Sequence, residues 1–363
     1  MALPLRALLV VAALAACKTE PTTPPDTGDE EGLDETLPER GPIEEAATLM
    51  ARGQAEAALA VIDGALAEHP EDHELHYARG VALQALGRGP EAVEAWRATL
   101  ERKPGFFPAL NGIGAVELDA GNFDAAIDAL KQAIEAKPDF PDARYNLGLA
   151  LRSKGDVDGA IAALEGAREL APGDLDVHLM LAPLYLEKGS VAKARAEADA
   201  ALELGGGDPE AYRVDARVRV AEGDAAGAAE AYAKVVAAQP EDAEARLALA
   251  RALARSGDVE AAIPHLEKLA ADRPDEPVIL SEWGGALVKL KKIDGPDGGL
   301  AKIERALELK PTLTSAKVRR IAALAESGDC KRAKLALKEV VAEVPATKAV
   351  AEEAFAPCAG KRR

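Results

Sequence analysis

The sequence predicts an all-α protein, a solenoid of about nine helix–turn–helix repeats finished by a C-terminal capping helix. Three observations carry that reading. Glycines stand at positions 53, 87, 121, 155, 189, 223 and 257, and alanines at 58, 92, 126, 160, 194, 228 and 262, each series evenly spaced. Their common interval falls within the range of helical repeat arrays. Prolines keep the same step at 70, 104, 138 and 172, and again at 240 and 274. Of the 363 residues 48% are apolar but only 3% aromatic, so the core must rest chiefly on Ala and Leu, strong helix formers of which Ala lets helices approach closely. The formal charge of −18 argues against a nucleic-acid partner, which needs clustered basic charge. It argues equally against a mainly electrostatic grip on anionic lipid.

The N-terminal elements stand apart from the repeats. Residues 1–16 carry no acid and one base, Arg6, and residues 7–16 are an apolar run. That run is too short to span a bilayer and has the form of a secretory signal. It ends Leu14-Ala15-Ala16-Cys17, which resembles the bacterial lipobox. The resemblance implies diacylglyceryl transfer to the Cys17 thiol, cleavage before Cys17 and acylation of the new amino group, which would anchor the chain without a transmembrane helix. The alternative is an ordinary signal that contains a cysteine. Lys18, rather than Asp, follows the cysteine, which by the same resemblance points to the outer membrane, facing the periplasm. Residues 17–41 then read as an acidic tether, with eight acids, two bases and four prolines from position 18 onward. A flexible coil of that length reaches about 25–30 Å.

The repeats run 39–72, 73–106, 107–140, 141–174, 175–208, 209–242, 243–276, 277–313 and 314–347, all of one length except the eighth, which is slightly longer. Each signal has a mechanical reason. Glycine ends the first helix, where a left-handed residue is needed. The next position is often Asn122, Asp156, Asp224, Asp258 or Asp329, suited to cap the second helix. Alanine sits where the two helices cross. Proline follows the second helix, which it cannot continue. One repeat alone cannot bury its apolar face, so the fold requires the array.

Repeat four reads Leu147-Gly148, Leu151, Ala160, Leu164, Ala167 and Pro172; repeat two has Gly80, Leu83, Ala92, Trp96 and Pro104; repeat three has Leu110, Ile113-Gly114, Ala126, Leu130, Ala133 and Pro138. This resembles the tetratricopeptide repeat (TPR), in a register that holds across 39–347, although no repeat fills every slot. The resemblance implies a TPR superhelical solenoid over 42–347, with a concave groove lined by the first helices. Groove slots 2, 5, 9, 12 and 13 give Tyr77, Gln84, Asn111, Leu118, Tyr145, Leu149 and Arg152 in the early repeats. In repeats six and seven they give Arg213, Arg217, Arg251 and Arg255. Each arginine pair is four apart and shares a helix face. Guanidinium forks suit carboxylates, so the expected ligand is an acidic or C-terminal peptide segment. The alternative is that these arginines pair with neighbouring acids such as Asp215 or Glu210.

Three departures stand out. Asp215 and Arg219 replace the usual Leu and Tyr and are expected to form a half-buried helical ion pair. The lengthened turn of repeat eight, residues 293–299, puts Gly299 in the alanine slot; a protruding loop and weaker helix packing are expected there. Gly205-Gly206-Gly207 is the expected flexible joint. By the resemblance, a terminal helix in 348–363 packs back on the preceding one ahead of a basic tail. Cys330 and Cys358 then face each other across the hairpin, and an exported chain would bond them as a disulfide. Two lone buried thiols are the alternative.

No phosphate-loop, G-x-S-x-G, C-x-x-C or H-E-x-x-H pattern is present in the sequence, and His69 is cut off from His73 and His76 by Pro70, so no enzyme activity, metal or cofactor is expected. The combined reading is a membrane-anchored protein–protein interaction scaffold that supports assembly of an envelope complex. Known TPR lipoproteins assist assembly of pilus secretins or act as adaptors for peptidoglycan-remodelling enzymes. The alternative is a groove-type receptor for an acidic peptide or small ligand.

Overall fold

The computed structural model describes residues 41–359. Cys17, the signal before it, the tether to residue 40 and the basic tail 360–363 lie outside the described residues. The first helices of successive repeats are α1 (Pro42–Ala51), α3 (His73–Ala85), α5 (Phe107–Asp119), α7 (Pro141–Lys154), α9 (Leu175–Glu187), α11 (Pro209–Glu222), α13 (Ala243–Ser256), α15 (Pro277–Lys289) and α17 (Thr314–Glu326). Their partners are α2 (Ala55–Glu68), α4 (Gly89–Arg102), α6 (Phe123–Ala136), α8 (Val157–Leu170), α10 (Val191–Gly205), α12 (Ala225–Ala238), α14 (Val259–Asp272), α16 (Gly299–Leu309) and α18 (Cys330–Glu343). A last helix, α19 (Lys348–Ala359), follows a short 3-10 turn. No strand occurs among the described residues.

The punctuation residues do what their chemistry dictates. Gly53, Gly87, Gly121, Gly155, Gly189, Gly223, Gly257 and Gly328 all take φ between 70° and 100°, the left-handed turn that releases the chain from a helix. In repeat eight that slot falls on Lys291, which is forced to φ 59°. The slot alanines Ala58, Ala92, Ala126, Ala160, Ala194, Ala228, Ala262 and Ala333 are all 0% exposed. Asp156, Asp224, Asp258 and Asp329 accept the backbone N–H three residues on, at 2.9–3.3 Å. Asn122 does not cap; its amide donates to Glu117 on the preceding helix at 2.7 Å instead.

The chain divides into an N-terminal block, Met1–Val177, and a C-terminal block, His178–Arg363. In the first, each helix from α1 to α8 packs on the next, and α1, α3, α5 and α7 also touch in series. In the second, the same packing runs from α10 to α18, and α13, α15, α17 and α19 touch in series. Each block therefore presents a wall of first helices. Glycine on that wall makes room for bulk on the second helix. A Cβ at Gly114 would meet Leu130, and one at Gly148 would meet Leu164, both at 2.5 Å. Gly80 and Gly112 likewise enclose the Trp96 ring.

Repeat eight corrects one expectation. Asp294, Gly295, Pro296 and Asp297 are exposed, but Ile293 is buried and anchors the loop. The packing beside it is closer, not weaker. A Cβ on Gly284 would lie 2.6 Å from the Gly299 carbonyl oxygen, and one on Gly299 would lie 2.5 Å from that of Gly284. Paired glycines let the two backbones approach where Ala would hold them apart. At the C-terminal end, α19 packs on both α17 and α18. Cys330 and Cys358 are joined as a disulfide, with their Cα atoms 5.4 Å apart.

Candidate functional site

In the N-terminal block, the ring residues assigned to the groove belong to the core. Tyr77 is 5% exposed, with its ring edge-on to Phe106 at 5.2 Å. Its carbonyl accepts the Trp96 indole N–H at 3.2 Å. Tyr145 is 1% exposed and Leu149 is also buried. With so little bulk in the sequence, rings at these positions fill volume between helices rather than face a ligand. Gln84 and Leu118 are half-buried, and Arg152 is exposed near the end of α7. Asn111 accepts a hydrogen bond from the buried Asn146 amide at 3.0 Å.

The four arginines of repeats six and seven do not form one open strip. Arg213 donates to Asp242 at 2.6 Å, Gln239 at 3.0 Å and Glu210 at 3.1 Å, tying α11 to the start of α13. Burial works against its charge, but Asp242 and Glu210 prevail and raise its pKa. Arg217 is exposed and pairs with no carboxylate among the described residues. Asp215, 3% exposed, takes the expected Arg219 contact at 2.9 Å and a second from Arg195 of α10 at 2.6 Å. Burial lowers the proton affinity of Arg195, while Glu222, Asp215 and Asp199 raise it further, so the net shift is upward. These are structural ties.

Arg251 and Arg255 sit elsewhere, in a cleft of ≈ 270 Å³ across α13, α15 and α17. Arg251, Arg255, Lys289 and Arg319 line it, with Glu282 as the one carboxylate. Glu282 is shared, accepting from Arg251 at 2.8 Å and Arg319 at 2.6 Å. Arg319 also donates to the buried Ser281 hydroxyl at 2.8 Å, and Lys289 donates to the Ala254 carbonyl at 2.7 Å. Arg255 is exposed and makes no ion pair among the described residues. Four cations against one anion leave three positive charges around a small concavity, a setting that attracts a carboxylate.

The slot rule located Arg251 and Arg255 but missed Glu282 and Arg319, each at slot 6 of its repeat, as is Asn146. Slot 9 explains the opening. It holds Gly285 in repeat eight and Ala322 in repeat nine. A Cβ on Gly285 would lie 2.8 Å from Arg319 Cδ, so its absence seats the Arg319 stem against α15. A glycine at slot 9 beside a slot-6 arginine was the available signal.

Comparisons with known proteins identify the same kind of repeat. Models of the tetratricopeptide repeat match residues 43–105 and 112–175, and residues 151–218 and 219–281. A TPR and J-domain-containing co-chaperone of Fusarium oxysporum f. sp. lycopersici is 33% identical over 89 residues, 24% of this chain. That match spans only 17% of the co-chaperone's length. The structure of PilF from Pseudomonas aeruginosa is similar with a TM-score of 0.52 and 22% identity, over 56% of this chain and 93% of that one. The Cut9–Hcn1 hetero-tetramer of the APC/C is similar with a TM-score of 0.50 and 17% identity, over 78% of this chain and 55% of that one. At these identities the two structures attest the fold alone. Glycine turns, buried slot alanines and a wall of first helices in each block, together with matches across residues 43–281, show that the chain belongs to the tetratricopeptide repeat family, whose repeats are interaction modules for proteins and peptides.

Proposed function

We propose that this protein is a scaffold held at a membrane by acyl chains on Cys17, where it supports assembly of an envelope complex by docking an acidic segment of a partner protein in the α13–α15–α17 cleft. The observation that carries the docking reading is the excess of three positive charges in that cleft, on a chain of net charge −18. The size of the cleft favours a partner protein over a free small ligand. Pockets that enclose a whole ligand hold about 300–1,000 Å³, whereas this one, at ≈ 270 Å³, suits one acidic side chain or chain terminus. Lys18 after Cys17 favours the outer membrane with the repeats in the periplasm. No described helix is long and apolar enough to cross a membrane; the anchor of this reading is the acyl chains.

The test is capture of partners from native envelope by the full acylated chain and by its Arg255→Glu variant. Arg255 is exposed and makes no ion pair among the described residues, so its replacement leaves the helix packing intact. Recovery of an acidic partner should fall about tenfold or more in the variant. Equal recovery by both chains sinks the cleft reading. Replacing residues 1–17 by an ordinary cleavable secretory signal should move the protein out of the membrane fraction, and a chain that stays there sinks the anchor.

A further inference from the structure

The outer face of α18 carries a second concentration of positive charge, outside the groove. Lys331, Lys334 and Lys338 are exposed, and none pairs with a carboxylate among the described residues. At spacings of three and four they share one stripe. Leu335 lies within it at 59% exposure, the most exposed large aliphatic residue described. The acids of the same helix are engaged elsewhere. Glu339 meets Arg320 at 3.4 Å, and Glu343 meets Lys317, both cations being on α17. Asp329 caps α18, and Arg332 beside it is held by Glu304 at 3.0 Å. The helix thus sorts its charge, acids inward to α17 and lysines outward.

We infer that this stripe is a contact for an anionic phospholipid surface, which orients the C-terminal repeats against the membrane. A peptide needs walls and backbone partners, but every residue lining the shallow depression here comes from α18 or its cap: Asp329, Lys331, Arg332, Lys334, Leu335 and Lys338. An open basic stripe on a single helix with one central leucine suits a planar anionic surface, the lysines meeting headgroups and the leucine entering among them. Whole-chain charge still opposes a grip by electrostatics alone, so the contact is weak and gains from any anchor that holds the chain nearby.

The test uses the mature chain, residues 17–363, carrying Cys17→Ser, so that its outcome is separate from that of the acyl anchor. Co-sedimentation is measured with vesicles of phosphatidylcholine alone and of phosphatidylcholine with phosphatidylglycerol. Binding is expected only with phosphatidylglycerol, and should fade as salt rises. At about 1 kcal/mol per surface lysine, the triple variant Lys331→Gln/Lys334→Gln/Lys338→Gln should lose about a hundredfold in affinity. Leu335→Ala should lose a smaller factor, and an intact disulfide in each variant checks the fold. Equal binding to both vesicle types, or a triple variant that binds like its parent, overturns the inference. Binding to polyglutamate with none to phosphatidylglycerol vesicles overturns it in favour of an acidic polypeptide.

Discussion

In the N-terminal block the space among α3, α4 and α5 is filled by one ring, Trp96, which is 1% exposed and lies between two glycines. In the C-terminal block α10 and α11 are tied instead by a charge network, with the carboxylate of Asp215 buried between Arg195 and Arg219. Both arrangements sit on the same repeat register. The ring relies on shape and burial, which depend little on salt or pH. The network relies on keeping its carboxylates charged, and a desolvated carboxylate is costly once a partner is lost. The register fixes the backbone, and different chemistries can then hold it.

The sharpest test of that contrast is Trp96→Ala, which should cost about 4 kcal/mol and lower hydrogen-exchange protection most in α3, α4 and α5. Unchanged protection there would break the contrast. Asp215→Asn should cost about 2–3 kcal/mol, less than a fully buried pair because both arginines keep some solvent. Urea titration measures it, and adding Arg219→Leu should recover part of the loss. Acid should next separate the blocks. The backbone N–H of Gly227, then Arg219, hold Asp224 below the usual carboxylate range. Burial pushes Asp242 up, but the Ala245 N–H and Arg213 outweigh it and leave it low. A carboxylate whose folded pKa is depressed stabilises fully above its unfolded value, about 3.9, and loses that contribution as pH falls through the folded value. Repeats six and seven should therefore lose exchange protection below pH ~4 while the Trp96 region still holds. The smallest expected effect is a gain. Lys291→Gly should add about 0.5–1 kcal/mol by relieving a left-handed lysine, since the exposed Lys291–Glu326 pair it gives up is worth little. A drop in melting temperature would show that pair to matter.

Much of the fold was legible because its determinants are local. Glycine turns, slot alanines and helix-ending prolines act within a few residues of themselves, so periodicity alone located them. Lys291 was equally legible, one repeat step beyond Gly257, once the register was projected through the long repeat. The site was less so. Slot arithmetic says which helix face a residue shares but not what stands opposite. Tyr77 and Tyr145 went inward, and Tyr77 packs there against Phe106. Arg213 was drawn to Asp242, at the far end of its own repeat. Arg319 lies against α15 where Gly285 offers no side chain, and Glu282 meets it across the cleft. Gly299 misled for the same reason, since its counterpart Gly284 lies on another helix. Each miss turned on a contact between helices.

The bond between Cys330 and Cys358 also keeps a record. It spans the last repeat and its cap, and forming it removes two hydrogen atoms from the chain. Thiol–disulfide balance differs sharply between the cytosol and the exterior of a cell. The intact mass of the protein drawn from cells therefore reports where its C-terminal end folded, without any tag. A population with both thiols free would have folded in a reducing compartment, and its last helix would be held by packing alone.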